Sequence, residues 1–201
     1  MSVVPIRQIS RRTLLAGCAA AIGCGHRKAV GVSGLCFVAN QAGRSVSVVD
    51  LARFRVRRQI PLDGAPSEVI SHPSHKVFVL APEAGTVYEI DAVKLAVTRR
   101  AKAGSAALGM QLAPGNNALW VLYRDAAALV ELPLDSFRPG RRIHLSAPPD
   151  AFDLSTRGTA AIASVQNRTV VLASLAEASI DRTSNAPTSR RWWYSERTAG
   201  N

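Results

Sequence analysis

The sequence predicts an all-β chain built from repeated four-stranded units, and three observations carry that prediction. The first is repetition. Residues 36–50 read CFVANQAGRSVSVVD, residues 77–91 read VFVLAPEAGTVYEID, residues 119–133 read LWVLYRDAAALVELP, and residues 160–174 read AAIASVQNRTVVLAS. Phe37 recurs as Phe78 and Trp120, and Val46 recurs as Val87, Leu129 and Val170. A period of about 41 residues marks a stacked or radial architecture made from one supersecondary unit. The second observation is the alternation of short apolar runs with turn signals, which is the signature of all-β chains. The third is that no sustained helical period follows residue 24.

Each unit presents its signals in the same order. A run of period-2 character comes first: SEVISHP at 67–73, LGMQLAP at 108–114 and AFDLSTR at 151–157. A polar turn follows at 73–76, 114–117 and 156–159. Then come an apolar strand (VFVL, LWVL), a turn rich in Gly, Asn or Asp, and a third strand (VSVVD, VYEID, LVELP). A basic fourth strand closes the unit: RVRRQIPL, VTRRAKA and GRRIHLS. Four strands per unit of this length predict a β-propeller blade. The first unit opens on its second strand, LCFVAN, and the pattern fades after VVLASL. The prediction is therefore an incomplete propeller of about three and a half to four blades, spanning residues 34–181. Residues 182–201 are expected to be irregular, with no closing strand, as in a truncated or frameshifted propeller or a natural half-ring. Open blade faces are sites for self-association.

The N-terminus reads as an export leader over residues 1–23. Arg7, Arg11 and Arg12 form its charged region, and the apolar stretch Leu14 to Gly23 is too short to span a bilayer. Ser10-Arg11-Arg12-Thr13-Leu14-Leu15 resembles a twin-arginine export motif. Two cysteines stand at lipobox-like positions. Cys24 has the better apolar stretch before it, and Cys18 the better immediate context. Cys24 is the expected lipid-bearing residue, Cys18 the alternative, and residues 24–33 the tether. Cys36 lies in an apolar strand and reads as a small buried hydrophobe.

The unit also resembles the YVTN-type β-propeller repeat. Phe37-Val38-Ala39-Asn40 stands for its first element, and Val46-Ser47-Val48-Val49-Asp50 for its second. Ile60-Pro61-Leu62-Asp63-Gly64-Ala65-Pro66-Ser67 covers the third element and the Pro-led entry to the next unit. His72-Pro73-Ser74-His75 replaces the usual Pro-Asp-Gly turn. The resemblance implies a propeller fold and no single chemistry, since such repeats occur in surface-layer proteins, lactonase-like proteins and cofactor-binding dehydrogenase subunits.

The formal net charge is +11, with 47% apolar and only 5% aromatic residues. No aromatic-plus-basic motif of a nucleic-acid module accompanies that charge, so no nucleic-acid partner is expected. The pairs Arg57-Arg58, Arg99-Arg100 and Arg141-Arg142 are expected on the outermost strands. There they form a basic rim facing anionic headgroups, or charged edges that discourage strand pairing. The loops entering the innermost strands carry Asp63, Glu68 and Asp150, which are expected to gather acidity at the channel mouth. His72 and His75 are spaced as ligands could be, but they lack Cys or acidic companions, so no metal is expected. The sequence holds no haem-attachment motif, nucleophile elbow or phosphate loop, and no cofactor is expected. Asp50 and Asp91 end corresponding strands, where Asp makes local turn bonds. These features favour a non-catalytic, envelope-tethered module for binding a protein or envelope component. The rival is an enzyme or redox-partner subunit with its site at the channel mouth.

Overall fold

The computed structural model describes residues 34–185, and the leader, the tether and both lipidation candidates lie outside that range. Four antiparallel sheets follow one another along the chain. Blade 1 holds β1 (Leu35–Asn40), β2 (Ser45–Asp50) and β3 (Arg55–Pro61). Blade 2 holds β4 (Glu68–His72), β5 (Lys76–Ala81), β6 (Thr86–Asp91) and β7 (Ala96–Lys102). Blade 3 holds β8 (Ala107–Leu112), β9 (Ala118–Tyr123), β10 (Ala128–Pro133) and β11 (Arg142–His144). Blade 4 holds β12 (Ala151–Leu154), β13 (Thr159–Ser164), β14 (Thr169–Ser174) and β15 (Ser179–Asn185). Each blade is a meander in sequence order, and no sheet shares a strand with another.

The turns are built from residues placed for them. Asp50 Oδ1 accepts from the N–H groups of Ala52 and Arg53, and Asp91 Oδ1 accepts from those of Val93 and Lys94. These Asx turns lead blade 1 from β2 to β3 and blade 2 from β6 to β7. The chain then passes through a left-handed residue after β2, β6, β10 and β14, in the same place past the end of each: Phe54, Leu95, Phe137 and Ala178, with φ of 49°, 53°, 52° and 51°. A register shift follows between Val48 and Val49, Glu89 and Ile90, and Leu172 and Ala173. Such bulges bend the edge strand and strengthen its twist.

Three apolar layers fill the three spaces between successive blades. Val46, Val48 and Ile60 of blade 1 meet Val77, Val79 and Ile90 of blade 2. Phe78, Leu80 and Val87 of blade 2 meet Leu119, Val121 and Phe137 of blade 3. Trp120, Leu122 and Leu129 of blade 3 meet Ile162, Val171 and Ala173 of blade 4. Blades 2 and 3 thus have one face toward the blade before and one toward the blade after, and strand residues alternate between them. The central strands are apolar on both faces for this reason: every residue of β9 is buried.

Three expectations change. Residues 182–185 are not irregular: they belong to β15, which pairs with β14 and gives blade 4 its outer strand. The polar residues Asp181 to Asn185 hid it, because an exposed edge strand needs no apolar alternation. Cys36 is exposed rather than buried. Its side chain lies on the face of blade 1 that has no blade before it among the described residues. The arginine pairs of blades 2 and 3 align, but that of blade 1 is offset by one residue. The register places Arg58, Arg99 and Arg182 at one position, opposite Val48, Glu89 and Leu172. Arg141 joins that position, its carbonyl accepting from Glu131 N–H.

Candidate functional site

The innermost strands β4, β8 and β12 stand side by side and are linked by side chains rather than by a ladder. Glu68 Oε2 accepts from Met110 N–H at 2.8 Å. Gln111 donates to the carbonyl of Phe152 and accepts from Leu154 N–H at 3.0 Å. Between these strands lies a groove of about 220 Å³, lined by Glu68, Gly109, Gln111, Asp150 and Phe152 among others. Burial raises the Glu68 carboxyl above the ordinary glutamate value, and the Met110 N–H offsets that only in part.

The three acids expected at the channel mouth divide. Glu68 and Asp150 share the groove. Asp63 does not line it: Asp63 pairs with exposed Arg100 beside a separate cleft between the outer strands of blades 1 and 2. Asp150 is itself occupied, receiving Arg124 at 3.0 Å and Val165 N–H at 2.7 Å. Its carboxylate fastens the loop that enters blade 4. His72 is also engaged. Its Nε2 meets the carbonyl of Asn116 at 2.9 Å, and its Nδ1 accepts from Ser74 N–H, which fixes the Nε2–H tautomer.

Arg57, Arg58, Arg99, Arg100 and Arg142 lie on the edge strands β3, β7 and β11, and Arg141 directly precedes β11. They do not form a continuous rim. Arg99 donates to Glu89, whose carboxylate also receives Lys76 and Thr98. Arg99 then reaches the carbonyls of Leu134 and Asp135 in the third-to-fourth-strand turn of blade 3. Arg141 repeats this, bonding both oxygens of Glu131 and the carbonyl of Ala176 in the corresponding turn of blade 4. Arg142 reaches the carbonyl of Ala103. These residues fasten each blade to the next. Reasoning from sequence missed their acidic partners, although Glu89 and Glu131 recur inside apolar strands ten residues before the arginines they hold.

Blade 1 differs. Val48 stands where Glu89 and Glu131 stand, so Arg58 has no carboxylate across the strand. Arg55, Arg57 and Arg58 are exposed and make no ion pair among the described residues. Asp50 beside them is taken by Arg53 at 2.9 Å. A shallow groove runs along Arg53, Arg55, Val56 and Arg57, with exposed Phe54 at its turn.

No protein-family model matches the chain, and no curated protein matches it. Among solved structures, hydrazine synthase of Kuenenia stuttgartiensis is similar, with a TM-score of 0.65 at 17% sequence identity. The fold is a β-propeller. The match covers 79% of this chain and 52% of that one, so the chain spans about half the length of the structure it resembles. An identity of 17% speaks for the fold alone.

Proposed function

We propose that the chain is an exported, envelope-tethered propeller module that binds or scaffolds an anionic component of the envelope. One observation carries this reading. The outer-strand arginines of blades 2 and 3 are consumed within the fold, whereas Arg55, Arg57 and Arg58 of blade 1 keep their charge on the surface beside exposed Phe54 and Val56. Arginines interleaved with exposed apolar side chains suit a lipid surface, where the charges meet headgroups and the apolar groups enter the interface. The leader with Arg11 and Arg12, a lipid anchor at Cys24 or Cys18, and kinship with YVTN-type repeats belong to the same proposal. An anchor would hold blade 1 close to such a surface, since it is the blade nearest the N-terminus in sequence.

The test is co-sedimentation of the full chain with vesicles of phosphatidylglycerol, against vesicles of phosphatidylcholine. Binding to the anionic vesicles alone, weakening as salt rises, is expected. Replacing Arg55, Arg57 and Arg58 by Gln should weaken it about 100-fold, at about 1 kcal/mol per arginine. Equal binding by the variant would remove this surface from the proposal.

A second reading rests on the inner groove, where Glu68 and Asp150 meet and the Glu68 carboxyl is raised by burial. Raised carboxyls in clefts are candidates for acid–base work. In this reading the chain is a lactonase-like or redox-partner propeller subunit. A lactone-hydrolysis assay decides it: activity that Glu68→Gln leaves unchanged would exclude the groove as its site.

A further inference from the structure

The spaces between blades share one joint, complete with its glutamate and arginine between blades 2 and 3 and between blades 3 and 4, and the two ends of the arc of described residues carry its two unjoined halves. One half is a row of three residues across a blade. In blade 2 the row is Phe78, Glu89 and Arg99, which are direct neighbours on adjacent strands. In blade 3 it is Trp120, Glu131 and Arg141. The other half is the left-handed turn residue of the next blade. Phe137 stacks on Phe78 with ring centroids 6.1 Å apart, and the Arg99 guanidinium lies 4.7 Å above the Phe137 ring. Leu95 takes the same place against the row that contains Phe37, and Ala178 against the row that contains Trp120. Leu95 and Phe137 are 6% and 4% exposed.

Phe54 occupies this turn position in blade 1 and is 78% exposed. At the other end, Ala161, Leu172 and Arg182 form the row of blade 4, in register across β13, β14 and β15. Leu172 is 37% exposed, and Arg182 is exposed on the edge strand. The sizes are complementary. Within the arc the smallest turn residue, Ala178, faces the largest row residue, Trp120. At the ends the large Phe54 is matched by the small Ala161. Leu172 replaces the buried glutamate with an apolar contact for the Phe54 ring.

We propose that two copies of this chain associate head to tail, the last blade of one seating against the first blade of the other. Phe54 packs over Ala161 and Leu172 of the second copy, and Arg182 covers it as Arg99 covers Phe137. Arg182 then reaches the backbone carbonyls of the turn at Leu51 and Ala52, which correspond to those that receive Arg99 and Arg141. The joint is heterologous, so two arcs that close on each other use it twice. Arg182 approaches a blade bearing Arg55, Arg57 and Arg58, so salt should strengthen the association by screening. The joint covers Phe54, so in the dimer Val56 alone of the two exposed apolar side chains beside the arginines is left for a lipid surface; the mass measurement, made without vesicles, tests the joint separately from the envelope reading.

The measurement is native mass spectrometry and analytical ultracentrifugation of the full chain in mild detergent, under reducing conditions that remove any cysteine-linked dimer. The expected result is a species of twice the chain mass, more populated at higher salt. Phe54→Asp should reduce it to a monomer, and so should Leu172→Asp combined with Arg182→Glu. Both sites are exposed, and unchanged melting of the variants will confirm that folding is intact. Mixing the two monomeric variants decides the geometry. Each keeps one sound half of the joint, so the mixture should form a heterodimer. A chain that stays monomeric up to 100 µM, about what a weak complex requires, overturns the proposal. So does a dimer that both variants retain, or a mixture that fails to associate.

Discussion

Glu89 is 3% exposed, yet it holds a charge between Arg99, Thr98 and Lys76. Burial raises its carboxyl, and the hydrogen bonds from Arg99, Thr98 and Lys76 outweigh burial, so the net displacement is below the ordinary value of 4.5. A carboxyl lowered in the folded state gives stability that is present above the unfolded value and is lost as pH falls through the folded one. Acid unfolding should therefore begin to cost stability below about pH 4.5. Glu89→Gln should cost about 2 kcal/mol at neutral pH and flatten the acid limb of the curve. Urea titrations at pH 3 to 7 will show it, and an unchanged acid limb would assign that limb to other carboxylates. Gly85 makes a different demand. With φ at +59° it sits in the left-handed region, and a Cβ there would lie 2.0 Å from the Gly104 carbonyl. Its own carbonyl accepts from Tyr123 Oη, and burial pushes that phenol up to about 12. Gly85→Ala should then lower the melting midpoint by several degrees, as a cost of about 2 kcal/mol would in a domain of this size.

At the scale of elements, the outer strands show how far the sequence could be read. The third strands and their Asx turns were legible because Asp50 and Asp91 end apolar runs and the turn chemistry is local. The position of the arginines at sheet edges was legible for the same reason. Their partners were not, because a buried glutamate is recognised only when the bulge fixes which arginine faces it. The one-residue offset of Arg57-Arg58 against Arg99-Arg100 comes from that register, which spacing alone does not reveal. β15 escaped because its exposed residues carry no alternation. Cys36 was misread because its strand is apolar like its counterparts β5 and β9, while its outward face meets no earlier blade. The channel acids divided because Asp63 lies on the far side of its loop, toward Arg100. The inner strands offer a test of the side-chain links. Gln111→Ala removes both bonds to β12, and hydrogen exchange at Leu154 should accelerate while that at Val121 stays slow. Equal rates at Leu154 in the unaltered chain and in Gln111→Ala would mean that the apolar layer alone aligns blades 3 and 4.

For the molecule as a whole, the repeat announced the architecture before any single strand was certain, because four similar runs constrain one another. The faces of the end blades carried the part that repetition could not give: they are where the units stop being alike. Blade 1 shows Asn40, Ser45, Ser47 and Gln59 in a polar network on its outer face, and blade 4 shows alanines at Ala161 and Ala163 where blade 3 shows Trp120 and Leu122. The backbone ladders have a further consequence. Each sheet closes within one contiguous stretch of chain, and no ladder among the described residues passes from blade to blade. Among the described residues side chains and one backbone bond, from Ala107 N–H to the Pro82 carbonyl, tie the units together, so the energetics resemble a row of dominoes rather than a vault that falls with its keystone. An end blade can open while its neighbours keep every backbone bond, and exchange should run fastest in β15 and slowest in β9 and β10. The same arrangement makes the gene easy to lengthen or shorten by whole units. Each addition or loss costs one joint, and the remainder keeps its fold.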